Sequence, residues 1–143
     1  MHIYLKGIDN LKRREIREAV FLLTFEKLFS EASADEIIDT AYEVDEFELC
    51  EEVETIFKAV CEKETELDEI ITKYSEKRQF SRIPKISIAI LRLAIYEMKY
   101  DDKVPVNVAI SEAVLLAKGY AYAPDVQFIN GLLGAYAKEG AQE

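Results

Sequence analysis

Ile86-Ser87-Ile88-Ala89-Ile90-Leu91-Arg92-Leu93-Ala94-Ile95-Tyr96 is the stretch that decides the fold. Wound at 3.6 residues per turn it is apolar nearly all round, which predicts a helix buried on every side instead of one with a wet face. Its many β-branched residues also suit a buried strand, but about seventeen residues pass here without a turn signal, and that length favours helix. Pro84 suits the first turn, where the missing N–H is no loss. A helix of this kind is central, so the flanking sequence must supply its neighbours.

Working outward, the flanks read as amphipathic helices. From about Leu11 to Ser30, Ile16, Val20 and Leu23 fall at i, i+4 and i+7, and Phe21, Phe25 and Leu28 widen the stripe; the first turns are polar and the later ones nearly all apolar. Ser33 followed by Glu36 is a capping-box pattern that opens a helix through Ile37, Ile38, Ala41 and Tyr42. A third helix carries Leu49, Val53, Ile56, Phe57 and Val60. Thr65 followed by Asp68 predicts the cap of a short fourth helix with Leu67, Ile70, Ile71 and Tyr74 inward. Beyond the central helix, Pro105 and Gly119 bracket a sixth with Ile110, Val114 and Ala117. Pro124 starts a seventh with Phe128, Ile129, Leu132, Leu133 and Tyr136. Gly131 and Gly134 lie inside that last helix at about 1 kcal/mol each relative to alanine, and close approach of a neighbouring backbone is the expected compensation. No strand-turn-strand alternation competes, so the fold class is all-α with about seven helices.

With 143 residues, half of them hydrophobic, the chain can bury a sizeable core as one domain or two small packed halves. The net charge is -10, yet this apolar content is too high for a disordered acidic tail. Unbroken apolar runs reach about six residues, far short of the ~20 that span a membrane. Met1 to Lys6 lacks the pattern of a signal peptide, so a cytoplasmic protein without membrane contact is expected. Cys50 and Cys61, eleven residues apart in what reads as one helix, would sit about 16 Å apart along its axis and cannot pair. The single histidine, His2, stands at the terminus, which argues against a Cys/His zinc site, a Ser-His-Asp triad and a Cys-His pair. Phosphate-cradling GxxxxGK[ST] and GxGxxG patterns are missing. Glu97 and Glu112 are expected to pair with Arg92 or to cap buried polar groups, not to form a catalytic dyad. No enzyme, no catalytic residue, no metal and no cofactor is therefore expected.

The charge is unevenly spread. Residues 1–27 hold six basic side chains against four acids; residues 28–77 hold four against seventeen; residues 78–143 hold eight against seven. A middle segment carrying -13 repels nucleic acid, so any polyanion must approach the two ends of the sequence. Lys12, Arg13, Arg14 and Arg17 cluster in the polar first turns of helix one, where guanidinium groups can fork onto phosphates or stack on unpaired bases. The same residues also suit a solvated helix face with Arg14–Glu18 and similar i, i+4 pairs.

At this point four ordered motifs resemble one family. Arg13-Arg14-Glu15-Ile16-Arg17-Glu18-Ala19 resembles the RRxxRExA opening of the NusB family of bacterial transcription antitermination factors, and Ile90 to Met98 resembles its ILRLAxYEM. Val104 to Val114 resembles VPxxVAINEAV, and Ala117-Lys118 followed by Phe128-Ile129-Asn130-Gly131-Leu132-Leu133 resembles AK...FVNGVL, in the same order and spacing.

The resemblance implies one domain over residues 1–143 made of two packed helical bundles, N-terminal at about 1–76 and C-terminal at about 77–143. It implies a non-enzymatic factor that binds the boxA RNA of ribosomal-RNA leader transcripts together with the ribosomal protein NusE, in the antitermination complex of RNA polymerase. Lys12, Arg13, Arg14, Arg17, Phe25, Lys118, Tyr120 and Phe128 are the RNA-binding candidates it implies, with Tyr122 as a further stacking ring. Ser87 and Ile88 lie where relatives meet NusE. The alternative is a helical protein-interaction module with weak or lost RNA binding.

Overall fold

The computed structural model describes residues 5–44 and 49–140, with side chains from Lys12 onward; His2 lies outside the described residues. These residues form seven α-helices: α1 (Leu5–Lys27), α2 (Ala34–Val44), α3 (Glu51–Glu62), α4 (Glu64–Tyr74), α5 (Lys85–Tyr100), α6 (Val106–Tyr120) and α7 (Ala123–Glu139). A 3-10 turn at Phe80–Arg82 leads into α5. The all-α expectation holds. No helix among the described residues is long and apolar enough to cross a membrane.

The chain divides into two compact units, Met1–Cys61 and Glu62–Glu143. In the first, α1 packs on α2. Among the described residues, Ala19, Val20, Phe21, Leu23 and Thr24 of α1, Ile37, Ile38 and Ala41 of α2, and Val53, Phe57 and Val60 of α3 are buried in it. The expected capping box opens α2: the Ser33 N–H donates to Glu36 Oε1 at 2.9 Å, and the Glu36 N–H donates to Ser33 Oγ at 3.1 Å. The Ser33 main-chain N–H first, and the Ser33 side chain second, hold the Glu36 carboxyl below the usual carboxylate range. The third helix starts at Glu51, so Leu49 and Cys50 precede it, and neither cysteine forms a disulfide among the described residues.

In the second unit α5 is the hub, packed against α4, α6 and α7. Ser87 through Ile95, Glu97 and Met98 are all buried, as an apolar circumference demands. The buried stripe of α6 is Ala109, Ala113 and Ala117, while Ile110 and Val114 are half-buried. Small side chains at i, i+4 and i+8 leave room for α5 to come close.

Three expectations need correction here. Thr65 does not cap α4, which starts at Glu64 after Lys63 without a side-chain cap. Asp68 instead accepts both arms of Arg92 on α5, from Nε and Nη2 at 2.8 Å each, with Glu64 3.6 Å from Nη1. Both of these carboxylates are on α4. Because α4 packs on α5 and α7, it belongs to the second unit, and the division falls after Cys61 instead of near residue 76. Finally, a Cβ at Gly131 or Gly134 would meet nothing within 4 Å, so no close backbone explains either glycine; α7 simply turns an open face there.

Candidate nucleic-acid interface

The candidate residues fall into two groups, one in each unit. In the first unit Lys12, Arg13 and Arg14 are exposed and Arg17 is half-buried. Arg13 and Arg17 continue, at i+4 steps, the helix face that further along carries Val20, Phe21 and Thr24 into the core. The face changes from cationic to apolar where α1 enters its unit, and this leaves the basic residues accessible.

Phe25 does not join that basic group. It lies eight residues beyond Arg17, about 12 Å along the axis. Its ring stacks on Phe21 at 6.4 Å and meets Phe29 edge-on at 5.0 Å. Half-buried Phe25 is the middle rung of an aromatic ladder, and the ring that reaches solvent is Phe29, 64 % exposed. Phe29 follows Phe21 and Phe25 at steps of four but lies beyond Lys27, the last helical residue.

The second group gathers where α6 ends and α7 begins. Lys118 and Tyr120 are exposed in the last turn of α6, and Tyr122, 83 % exposed, stands just before α7. The Tyr122 carbonyl accepts the N–H of Asp125 at 2.9 Å and of Val126 at 3.1 Å, which starts α7 with Pro124 in its first turn. One turn on, Phe128 is half-buried, and the Arg78 guanidinium carbon sits 4.3 Å from its ring centroid. Arg78 Nη1 also donates to Asp125 Oδ1 at 3.1 Å. No motif pairs Arg78 with Asp125. They are 47 residues apart in sequence, and only the packing of α4 on α7 brings them together.

Ser87 and Ile88, expected at a partner surface, are buried at 0 % and 2 % exposure. A protein docked on this chain cannot touch them, because α5 is enclosed by its own neighbours. They can alter a docking surface only through packing. The Ser87 hydroxyl has no hydrogen-bond partner among the described residues.

Comparison with known proteins places this arrangement. The model of the NusB family matches residues 11–138. A transcription antitermination protein NusB from Thermoanaerobacter sp. (strain X514) is 39% identical over 135 residues, covering 93% of this chain and 96% of the relative. The Acetivibrio thermocellus protein of that name is 40% identical over 130 residues, covering 88% of each, and the Bacillus subtilis (strain 168) one is 37% identical over 123 residues, covering 86% and 92%. Among solved structures, T. maritima NusB superposes with a TM-score of 0.77 at 28% identity over 90% of this chain and 92% of its own. A chain in a crystal structure described as that of a plectonemic RNA supercoil has a TM-score of 0.78 at 22% identity over 88% and 94%, and shares the fold.

Proposed function

The chain belongs to the NusB family, whose members are transcription antitermination proteins, and from that premise we propose that it binds boxA RNA of ribosomal-RNA leader transcripts together with NusE. It would act there within the antitermination complex of RNA polymerase, in the cytoplasm and without catalysis of its own. The observation that carries the RNA reading is the accessible basic start of α1 in a chain of net charge -10. A polyanion gains nothing from the molecule as a whole, so local cations must attract it. Lys12, Arg13 and Arg14 are exposed near the start of α1, and half-buried Arg17 follows them one turn on. Lys118, Tyr120, Tyr122 and Phe128 supply a charge and rings at the α6–α7 junction, the residue types that single-stranded RNA uses for phosphate contact and stacking. NusE is proposed on family membership.

Binding to boxA RNA, titrated over salt with and without NusE, tests this. Replacing Arg13, Arg14 and Arg17 together by Gln should weaken binding to every RNA and reduce the slope of log affinity against log salt by about 2, at roughly 0.7 per lost phosphate contact. NusE should tighten RNA binding, and RNA should tighten NusE binding by the same factor. A folded triple variant with unchanged affinity would withdraw α1 from the interface. NusE association without any RNA binding would leave the helical interaction module as the function.

A further inference from the structure

We propose that Arg78, seated on Phe128 and held by Asp125, is a stacking platform for an unpaired nucleobase, which lies on the guanidinium face turned away from the ring. The inference rests on the RNA reading above and names a contact that no sequence motif supplied.

Three observations carry it. First, the Phe128 face under Arg78 is occupied. With the guanidinium carbon 4.3 Å from the ring centroid, a base cannot enter between them, since two stacked layers need about 7 Å. On this side of Phe128 the surface a base meets is therefore the guanidinium. Second, the charge of Arg78 is already answered by Asp125, at 3.1 Å. A neutralised guanidinium is a poor phosphate anchor, but its delocalised plane still stacks, and its remaining N–H groups can meet acceptors on a base edge. The accessibilities agree: the Arg78 side chain is 35% exposed and that of Asp125 only 11%, so the arginine faces outward over its carboxylate.

Third, the backbone that presents Arg78 is fixed. The chain leaves α4 through a turn in which Glu76 takes a left-handed conformation, φ 54°, an arrangement costing about 1 kcal/mol for a side chain of this kind. The turn is tied on both sides: the Arg78 N–H donates to the Ser75 carbonyl at 3.1 Å. The buried Ser75 hydroxyl lies 2.9 Å from the Arg78 carbonyl and 3.0 Å from that of Thr72, with one proton to give. An arginine tethered by its main chain, its ring contact and its carboxylate loses little freedom when a base settles on it. An exposed surface arginine would have to be ordered by the RNA itself.

The test places 2-aminopurine at each position of a boxA RNA oligonucleotide in turn and reads its fluorescence and affinity with the full chain, alongside Arg78→Lys and Arg78→Trp. Lysine keeps the charge and loses the plane; tryptophan keeps a plane and loses the charge. We expect at least one position to be quenched on binding the unmodified protein. Arg78→Lys should bind about tenfold more weakly, lose that quench and keep the salt slope. Arg78→Trp should keep the quench and stay within about threefold of the parent affinity. Circular dichroism and a thermal melt accompany each variant, and the scan on the unmodified chain needs no variant at all. The proposal is overturned if no position is quenched, if Arg78→Lys binds like the parent, if Arg78→Trp is as weak as Arg78→Lys, or if losing Arg78 flattens the salt slope as a phosphate contact would. Failure of the unmodified chain to bind boxA RNA would overturn the RNA reading as well; binding with an unaffected Arg78→Lys overturns only this inference.

Discussion

The two units hold their polar side chains in different ways. In the first, the contacts are short in sequence or exposed: Ser33 with Glu36 across three residues, the buried Thr24 hydroxyl donating to the Val20 carbonyl at 2.7 Å, and Lys58 with Asp35 at 2.9 Å on an exposed surface. In the second they reach across the fold: Arg92 with Asp68 over 24 residues, the Tyr100 hydroxyl donating to Glu66 over 34, and Arg78 with Asp125 over 47. Local contacts shape a helix end, and the exposed cations at the start of α1 can serve as a diffuse cationic surface. Long-range contacts fix one helix against another and hold a charged group at a defined place. The first arrangement suits non-specific attraction of a polyanion; the second suits a positioned contact.

The largest expected effect that would break this contrast is at Arg92. Its side chain is 5% exposed and fits Asp68 with two hydrogen bonds, so Arg92→Ala leaves a carboxylate facing a hole. Asp68 keeps 26% exposure and some access to water, which sets the loss near the low end for a broken buried pair, about 3 kcal/mol in urea unfolding. Lys58→Ala, which breaks the exposed pair with Asp35, should change stability by no more than about 0.5 kcal/mol. Equal losses for the two would erase the distinction.

Ser87 is the exception inside the second unit: a wholly buried hydroxyl with no partner among the described residues. Ser87→Ala should therefore raise stability by about 1 kcal/mol, since it removes a desolvated group that returns nothing. A loss on this change would mean that the hydroxyl is satisfied after all.

The smallest effect sharpens the contrast through pH. Glu66 accepts from the Tyr100 hydroxyl and from Lys99, whose Nζ lies 2.9 Å away, and these contacts, Tyr100 first, hold its carboxyl below the usual range. A carboxyl lowered in the folded state contributes stability that is present above its unfolded value and lost as pH falls through the folded one. The contribution of Glu66 should thus fade below the ordinary carboxylate range, and Glu66→Gln should make acid unfolding less steep there. A variant with the same acid profile as the parent would show that this exposed trio adds nothing.

Much of the fold was legible before any coordinates. Ile86 to Tyr96 has no polar face, so burial of α5 on every side followed from its periodicity, and the Ser33–Glu36 cap followed from a spacing of three. The basic start of α1 was legible for the same reason, since its accessibility depends on where one helix turns from polar to apolar. The partner of Asp68 was not. By spacing it suits a helix cap with Thr65, and only the placement of α4 against α5 gives it to Arg92 instead. The open face at Gly131 and Gly134 was likewise invisible, because what surrounds a glycine is supplied by residues far off in sequence. So were the burial of Ser87 away from any partner's reach and the meeting of Arg78 with Phe128 and Asp125. Periodicity and caps are set by neighbours within a turn or two, and the chain alone determines them. Which of seventeen acids in the middle segment meets which cation, and which ring an arginine covers, is decided by helix packing, because at the level of composition those acids are interchangeable.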